Sequence, residues 1–187
     1  MRQSKRTLIL DAAVQVVQRE GIAAVTFDSV AAQAELTKGG LLYHFRSREA
    51  LLEAVHEHLA HQWESQLEQA AGTTADHAGP RERSAAYAAV CTTSATRAEL
   101  LLLVEAANDP TLSAYWEDVQ NRWVPSPDSA ELPQADLEDF VLRLAADGLW
   151  LHESIGGRPL DPRLCRQVAE YLIAALTGSD GTGPAAG

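Results

Sequence analysis

"LTKGGLLYHF", residues 36 to 45, decides how this chain is read. The flanking sequence carries apolar residues at helical spacing, yet Gly39 and Gly40 stand near the head of this segment and Tyr43, His44 and Phe45 close it. Each glycine costs about 1 kcal/mol relative to alanine in a helix interior. Paired glycines here imply a backbone kept bare for an approaching partner. Upstream, Thr26 is a cap for a helix from about Phe27 to Ala34, with Asp28 in its first turn and Val30, Ala31 and Ala34 inward. Thr37 caps the next, short helix through about Phe45. Two short helices joined by a three- or four-residue turn form a helix-turn-helix unit.

The rest of the chain supports an all-α reading. It has 187 residues, 46% of them hydrophobic, enough for one large or two small domains with a buried core. Val and Ile are scattered singly and apolar residues recur at three- and four-residue spacing. The basic start, MRQSKRTLILDAAVQ, reaches Asp11 after a short apolar stretch without a small-residue cleavage site, so it does not read as a secretory signal. No stretch approaches the roughly 18 uncharged apolar residues of a membrane span, so the expected location is cytoplasmic with no membrane partner. Cys91 and Cys165 lie in no metal or redox motif and read as reduced, buried small hydrophobes.

Charge is unevenly distributed. Residues 1–55 carry seven Lys/Arg against six acids, whereas the remainder has a balance of −12 within a total of −11. A protein of pI about 4.9 looks unsuited to nucleic acid, but binding depends on the local footprint.

A first helix capped by Ser4 runs to about Glu20, where Gly21 stops it. Ser47 caps a fourth that continues to about Gly72, roughly 36 Å long at 1.5 Å per residue. Further helices are expected at about Pro80 to Ala95, Arg97 to Ala107, Pro110 to Trp123, Pro133 to Ser154 and Asp161 to Leu176. The prolines of "VPSPDSAELP" and the turn "IGGRPLDP" separate the later ones.

From Lys5 to Leu59 the chain resembles the DNA-binding domain of the TetR family of bacterial repressors. The residues that carry the resemblance are Ala12 and Ala13 of the first helix, Gly21 ahead of the Thr26 cap, Val30-Ala31-x-x-Ala34, Thr37-Lys38-Gly39, Tyr43-His44-Phe45 and the run Ser47 to Leu52. Glu35 stands where the turn of the family commonly has glycine, and Leu42 where tyrosine is common. The resemblance implies a homodimer on double-stranded operator DNA, with the second helix of the helix-turn-helix in the major groove. It places Thr26, Thr37, Lys38, Gly39, Gly40, Tyr43, His44 and Arg48 on phosphates or groove walls. Phe45 reads as core, and either Tyr43 or His44 could instead pack against the first helix.

The expected organisation is a helix-turn-helix domain over residues 1–46, a ligand-binding and dimerisation domain over 47–178 and a disordered tail over 179–187. The stretches "ELLLLVEAANDPTLSAYWEDVQNRWVP" and "LAADGLWLHESIGGRPLD" are similar to the C-terminal halves of actinobacterial multidrug-sensing repressors of this family. That similarity implies control of an efflux gene and promiscuous binding of a small hydrophobic or cationic aromatic ligand. Dimerisation through the last two helices is implied likewise, along stripes such as Leu137, Val141, Leu144 and Val168, Leu172, Ala175.

The residues of this half admit two readings. Trp63, Trp116, Trp123 and Trp150, with Leu67, are core packing or a stacking surface for a flat cation. The acids Glu105, Asp147 and Glu153 read the charge of such a ligand, or pair with Arg122 or Arg143, or lie on a solvated face. His56, His58 and His61 do not converge on one ion, because His56 lies well round the helix from His58; a solvated face with His56 turned inward is the reading, with no metal site. Nucleophile elbows and phosphate loops are absent, which argues against an enzyme and against a cofactor. The alternatives are an all-helical protein-interaction module without DNA binding and, further off, a small hydrolase.

Overall fold

The computed structural model describes residues 4–124, 127, 129, 131–157 and 160–178. Among them are nine α-helices and no strand: α1 (Lys5–Glu20), α2 (Phe27–Ala34), α3 (Lys38–His44), α4 (Arg48–Ala71), α5 (Pro80–Cys91), α6 (Arg97–Ala106), α7 (Pro110–Trp123), α8 (Gln134–Ile155) and α9 (Pro162–Thr177). The expected tail lies outside the described residues, as do parts of the two proline-marked connections. No helix among the described residues is long and apolar enough to cross a membrane.

Local side-chain chemistry sets the helix starts. The Oγ of Ser4 accepts the amide of Thr7 at 3.1 Å, and Thr26 and Ser29 close a reciprocal capping box over α2. Thr37 Oγ1 accepts the Gly40 amide at 3.1 Å, and Ser47 Oγ that of Ala50 at 3.1 Å. Asp161 caps α9 through the Arg163 amide. One helix ends earlier than its apolar pattern predicts: α5 stops at Cys91 rather than near Ala95. The hydroxyls of Thr92, Thr93 and Ser94 donate back to the carbonyls of Ala88, Ala89 and Val90, offering the backbone an alternative to another helical turn.

Packing divides the chain into two compact units, Met1–Gln62 with Thr96–Glu117, and Trp63–Ala95 with Asp118–Gly187. These packing units do not coincide with the expected division at residue 46: α6 packs on α1, and Tyr115 and Trp116 of α7 bond to Glu53 and His56 of α4. In the first unit α1 packs on α2 and on α6, and α2 on α3, around fully buried Ile9, Ala13, Val16, Val17, Val25, Val30 and Leu41. In the second, α5 packs on α8 and α9, and those two on each other, burying Leu67, Ala88, Ala146, Leu149, Leu172 and Leu176. Helices α4 and α7 each contribute residues to both units.

Leu137, Val141, Leu144, Leu151 and Ile155 of α8 stay exposed, at successive steps of four, three, seven and four residues that keep them along one stripe. On α9 Leu164, Tyr171 and Ala175 are exposed and Val168 is half-buried, so of the expected stripe only Leu172 turns to the core, and Tyr171 stands outward beside it.

Glu35 is the one non-glycine residue with positive φ among those described, at φ 55 and ψ 40, where it turns the chain from α2 into α3. The left-handed conformation costs a side-chain-bearing residue about 1–2 kcal/mol, while glycine loses about 0.5–1 kcal/mol more chain entropy on folding. Glu35→Gly should therefore raise unfolding stability by about 0.5–1 kcal/mol in denaturant titration. A loss of stability would show that the Glu35 side chain holds this turn.

Candidate DNA-binding surface and ligand sites

Helix α3 has seven residues and buries only Leu41, with Phe45 buried as its C-cap, as expected for core. Its outer side is bare. A Cβ built on Gly39 would meet nothing within 4 Å, so nothing within the described fold requires glycine there. At Gly40 the same atom would come within 3.3 Å of Thr37 Oγ1, the cap of the helix, which gives that glycine a local reason. Tyr43 is 87% exposed. His44 is half-buried, its ring edge-on to Tyr43 at 5.3 Å and tilted against Phe45 at 6.4 Å.

Lys38 reaches across to Asp28, Nζ to Oδ2 2.8 Å, both ends well exposed. Such a surface pair is worth about 0–1 kcal/mol and yields readily to a better anion. Thr26 and Thr37 are exposed, with their hydroxyls engaged as caps.

Arg48 departs from the expectation of a phosphate contact. Its Nε donates to the carbonyl of Val25 at 2.7 Å and its Nη2 to that of Ile22 at 2.8 Å, so the guanidinium is used inside the fold. Those carbonyls belong to the 3-10 turn Ile22–Ala24 and the residue that follows it. Arg46 is exposed beside the C-terminus of α3, a cation to which the sequence reading gave no role.

The seven residues expected around a ligand do not form one set. Glu105 and Trp116 belong to the first unit, where their polar atoms are taken by His56. Trp116 Nε1, which can only donate, gives its proton to His56 Nδ1 at 3.1 Å. The other ring nitrogen, Nε2, therefore carries the hydrogen and donates to Glu105 Oε2 at 3.2 Å. His56 is fully buried in its neutral form, and burial holds its pKa below the ordinary histidine value despite the opposing pull of Glu105 and then Asp109. His58 is set on Asp11 at 2.7 Å.

In the second unit Trp63 and Asp147 are joined by a residue the sequence reading passed over. The Tyr87 hydroxyl donates to Asp147 Oδ1 at 2.6 Å, and the Trp63 ring meets the Tyr87 ring edge-on at 6.1 Å. Burial, then Cys91 and Asp147, push the Tyr87 hydroxyl far above its usual pKa, so it remains a donor. The signal for Tyr87 was its being the one aromatic residue in an alanine-rich helix. Leu67 is fully buried and Trp150 half-buried.

Trp123 is 1% exposed and lines a cleft with Arg83, Arg143, Asp136 and Asp139, apart from Trp63, Tyr87 and Asp147. Arg122 pairs with Glu64 through two bonds of 2.8 and 3.0 Å and with Asp118, rather than with any of the three candidate acids. Glu153 accepts the Leu160 amide instead.

A family model described as "Bacterial regulatory proteins, tetR family" matches residues 9–55, and one described as "Tetracyclin repressor-like, C-terminal domain" matches residues 81–177. The chain is 28% identical to a transcriptional regulator BetI of Burkholderia cenocepacia over 96% of its own length and 97% of the relative's. Among solved structures, it is similar to a transcriptional regulator from Rhodococcus sp. Rha1, with a TM-score of 0.65 at 15% identity, covering 97% of this chain and 100% of that one. It is also similar to the multidrug binding protein EbrR complexed with ethidium, with a TM-score of 0.56 at 22% identity over 92% of this chain and 99% of that one. At those identities the solved structures establish the fold.

The His56 cluster makes stability depend on pH in a stated direction. Unfolded, the imidazole takes up a proton below about pH 6.5, whereas the folded protein resists it. The stabilisation is fully present above that pH and is lost as pH falls toward the depressed folded value, at no more than about 1.4 kcal/mol per pH unit. Between pH 7.5 and 5.5 the unfolding free energy should fall more steeply for the wild type than for His56→Asn, which has no titrating ring. Parallel slopes would contradict the assignment.

Proposed function

The chain belongs to the TetR family of helix-turn-helix transcription regulators, which are not enzymes, and from that premise we propose that it is a homodimeric repressor released from a palindromic operator by a small ligand. Helix α3 enters the major groove N-terminus first, with Gly39 letting the backbone approach and Tyr43 on the groove wall or a phosphate. Lys38 exchanges Asp28 for a phosphate, and Arg46 adds a second cation at the far end of the helix. Arg48 acts as a positioning residue through the carbonyls it holds. Thr26, Thr37, Gly40 and His44 complete the surface, the first three by shaping the two helix starts. The exposed stripes on α8 and α9 supply the dimer contact, two helices from each copy.

The observation that carries the DNA reading is the coincidence of open space at Gly39 and an 87% exposed Tyr43 on one short helix. Neither residue is needed by the fold as it stands. Binding to the duplex ahead of the chain's own gene, followed by fluorescence anisotropy, should weaken by about tenfold or more in Tyr43→Ala and in Gly39→Ala, roughly 1.4 kcal/mol each. The thermal unfolding of Tyr43→Ala should stay near that of the wild type, and that of Gly39→Ala should stay level or rise. Unchanged affinity in both variants would reject this docking.

We propose further that the ligand is a hydrophobic, aromatic cation seated on Trp63 and Tyr87 against Asp147, and that the regulated gene encodes a multidrug efflux pump. Stacking and cation–π attraction favour such a molecule at an indole and a phenol beside a carboxylate. The ethidium complex of EbrR supports this class of ligand by analogy. Glu105 and Trp116 then act on the response through His56, because α4 and α7 run continuously from that cluster into the second unit. Linkage requires saturating operator to weaken the ligand by the factor with which the ligand weakens the operator, typically about 5–150-fold. A titration of ethidium with and without operator should show that loss, and Asp147→Asn should weaken ethidium more than a neutral analogue of similar shape. Equal dissociation constants with and without operator would reject induction while leaving the DNA reading in place.

A further inference from the structure

We propose that a cleft in the second unit, separate in its residues from Trp63, Tyr87 and Asp147, binds a small monocarboxylate with an apolar body. The cleft, about 190 Å³, lies among the start of α5, the last turn of α7 and the first turns of α8. Arg83 and Trp123 line it together with Phe140 and Arg143.

Helix ends leave their last carbonyls without intrahelical partners, and both arginines are used there. Arg83 Nη1 donates to the carbonyl of Arg122 and Arg143 Nη1 to that of Val124, each at 2.8 Å. These bonds account for the arginines but not for two other donors. Arg83 Nε and Trp123 Nε1 are buried and have no hydrogen-bond partner among the described residues, and Trp123 is only 1% exposed. Buried N–H groups without acceptors are rare, because each has given up water for nothing in return. Both atoms can only donate, so what completes them is an acceptor.

The remaining walls narrow the class. Asp136 and Asp139 also line the cleft and offset the two arginines, so a phosphate or dicarboxylate would meet like charge. A single carboxylate carries the acceptor oxygens that the two donors lack. Phe140, with the Arg143 guanidinium 4.8 Å above its ring, and Val124 provide an apolar wall for the body of the ligand. A cationic ligand fits the two donors poorly, and this separates the cleft from the site argued above.

Benzoate is the probe, added to the full chain carrying ¹⁵N-labelled tryptophan, with the Trp123 indole resonance identified by its loss in Trp123→Phe. Benzoate should move that resonance saturably, and benzamide, of the same shape without the charge, should bind about tenfold more weakly or worse. Arg83→Lys keeps the charge and removes Nε–H, leaves the tryptophan in place, and should weaken benzoate by about tenfold. Ethidium should not displace benzoate. No saturable shift at millimolar benzoate, equal binding of benzamide, unaltered affinity in Arg83→Lys or displacement by ethidium would each overturn the proposal, and none of these results bears on whether α3 binds DNA.

Discussion

The guanidinium of Arg48 fastens the first residue of α4 to the carbonyls of Ile22 and Val25, and the geometry of the proposed DNA-binding surface depends on that clamp. Helices of eight and seven residues, such as α2 and α3, are well below the length at which a helix holds its shape alone in water. Their position comes from their surroundings: Val30 and Leu41 buried in the core, Thr26 and Thr37 at the two caps, and Arg48 closing the entry to α2 onto the exit from α3. An arginine suits this task because its fork can serve two carbonyls at once. The outer side of α3 is thereby left free of structural duties.

The first unit contains a second polar device of this kind. His56, Trp116 and Glu105 bring together one residue each from α4, α7 and α6, with the donor-only indole dictating the histidine tautomer. A fully buried imidazole is tolerated because both of its nitrogens are satisfied. The N-terminus of α6 is further tied to α1, since Gln18 accepts the Ala98 amide through its side chain and the Arg97 guanidinium through its backbone carbonyl. Residues far along the chain thus belong to the same packed body as the helix-turn-helix.

Features set by neighbouring residues were legible in the sequence. The caps at Ser4, Thr26, Thr37, Ser47 and Asp161 act over two or three residues, and all five fall where the pattern places a helix start. Features set by tertiary contact were not. Arg48 looks like any surface cation until Ile22 and Val25 are brought to it. Tyr87 and Asp147 stand 60 positions apart, and no periodicity links them. Trp116 and Trp123 share a helix face, as seven-residue spacing requires, and both are buried, yet the boundary between the units falls between them and their indoles face different polar surroundings. Spacing gives the face of a helix but not the partner that covers it.

The central claim is that α3, between the α2 turn and the Arg48 clamp on Ile22 and Val25, presents its bare N-terminal end to the major groove. Backbone amide resonances of the full chain, recorded as operator duplex is added, test this residue by residue. The account predicts that the largest shifts and the strongest protection from exchange fall on Thr37, Lys38, Gly39, Gly40 and Tyr43, while Leu41, in the core behind them, moves least in α3. Operator binding that leaves the Gly39 amide unperturbed, with the changes on another surface, would contradict it.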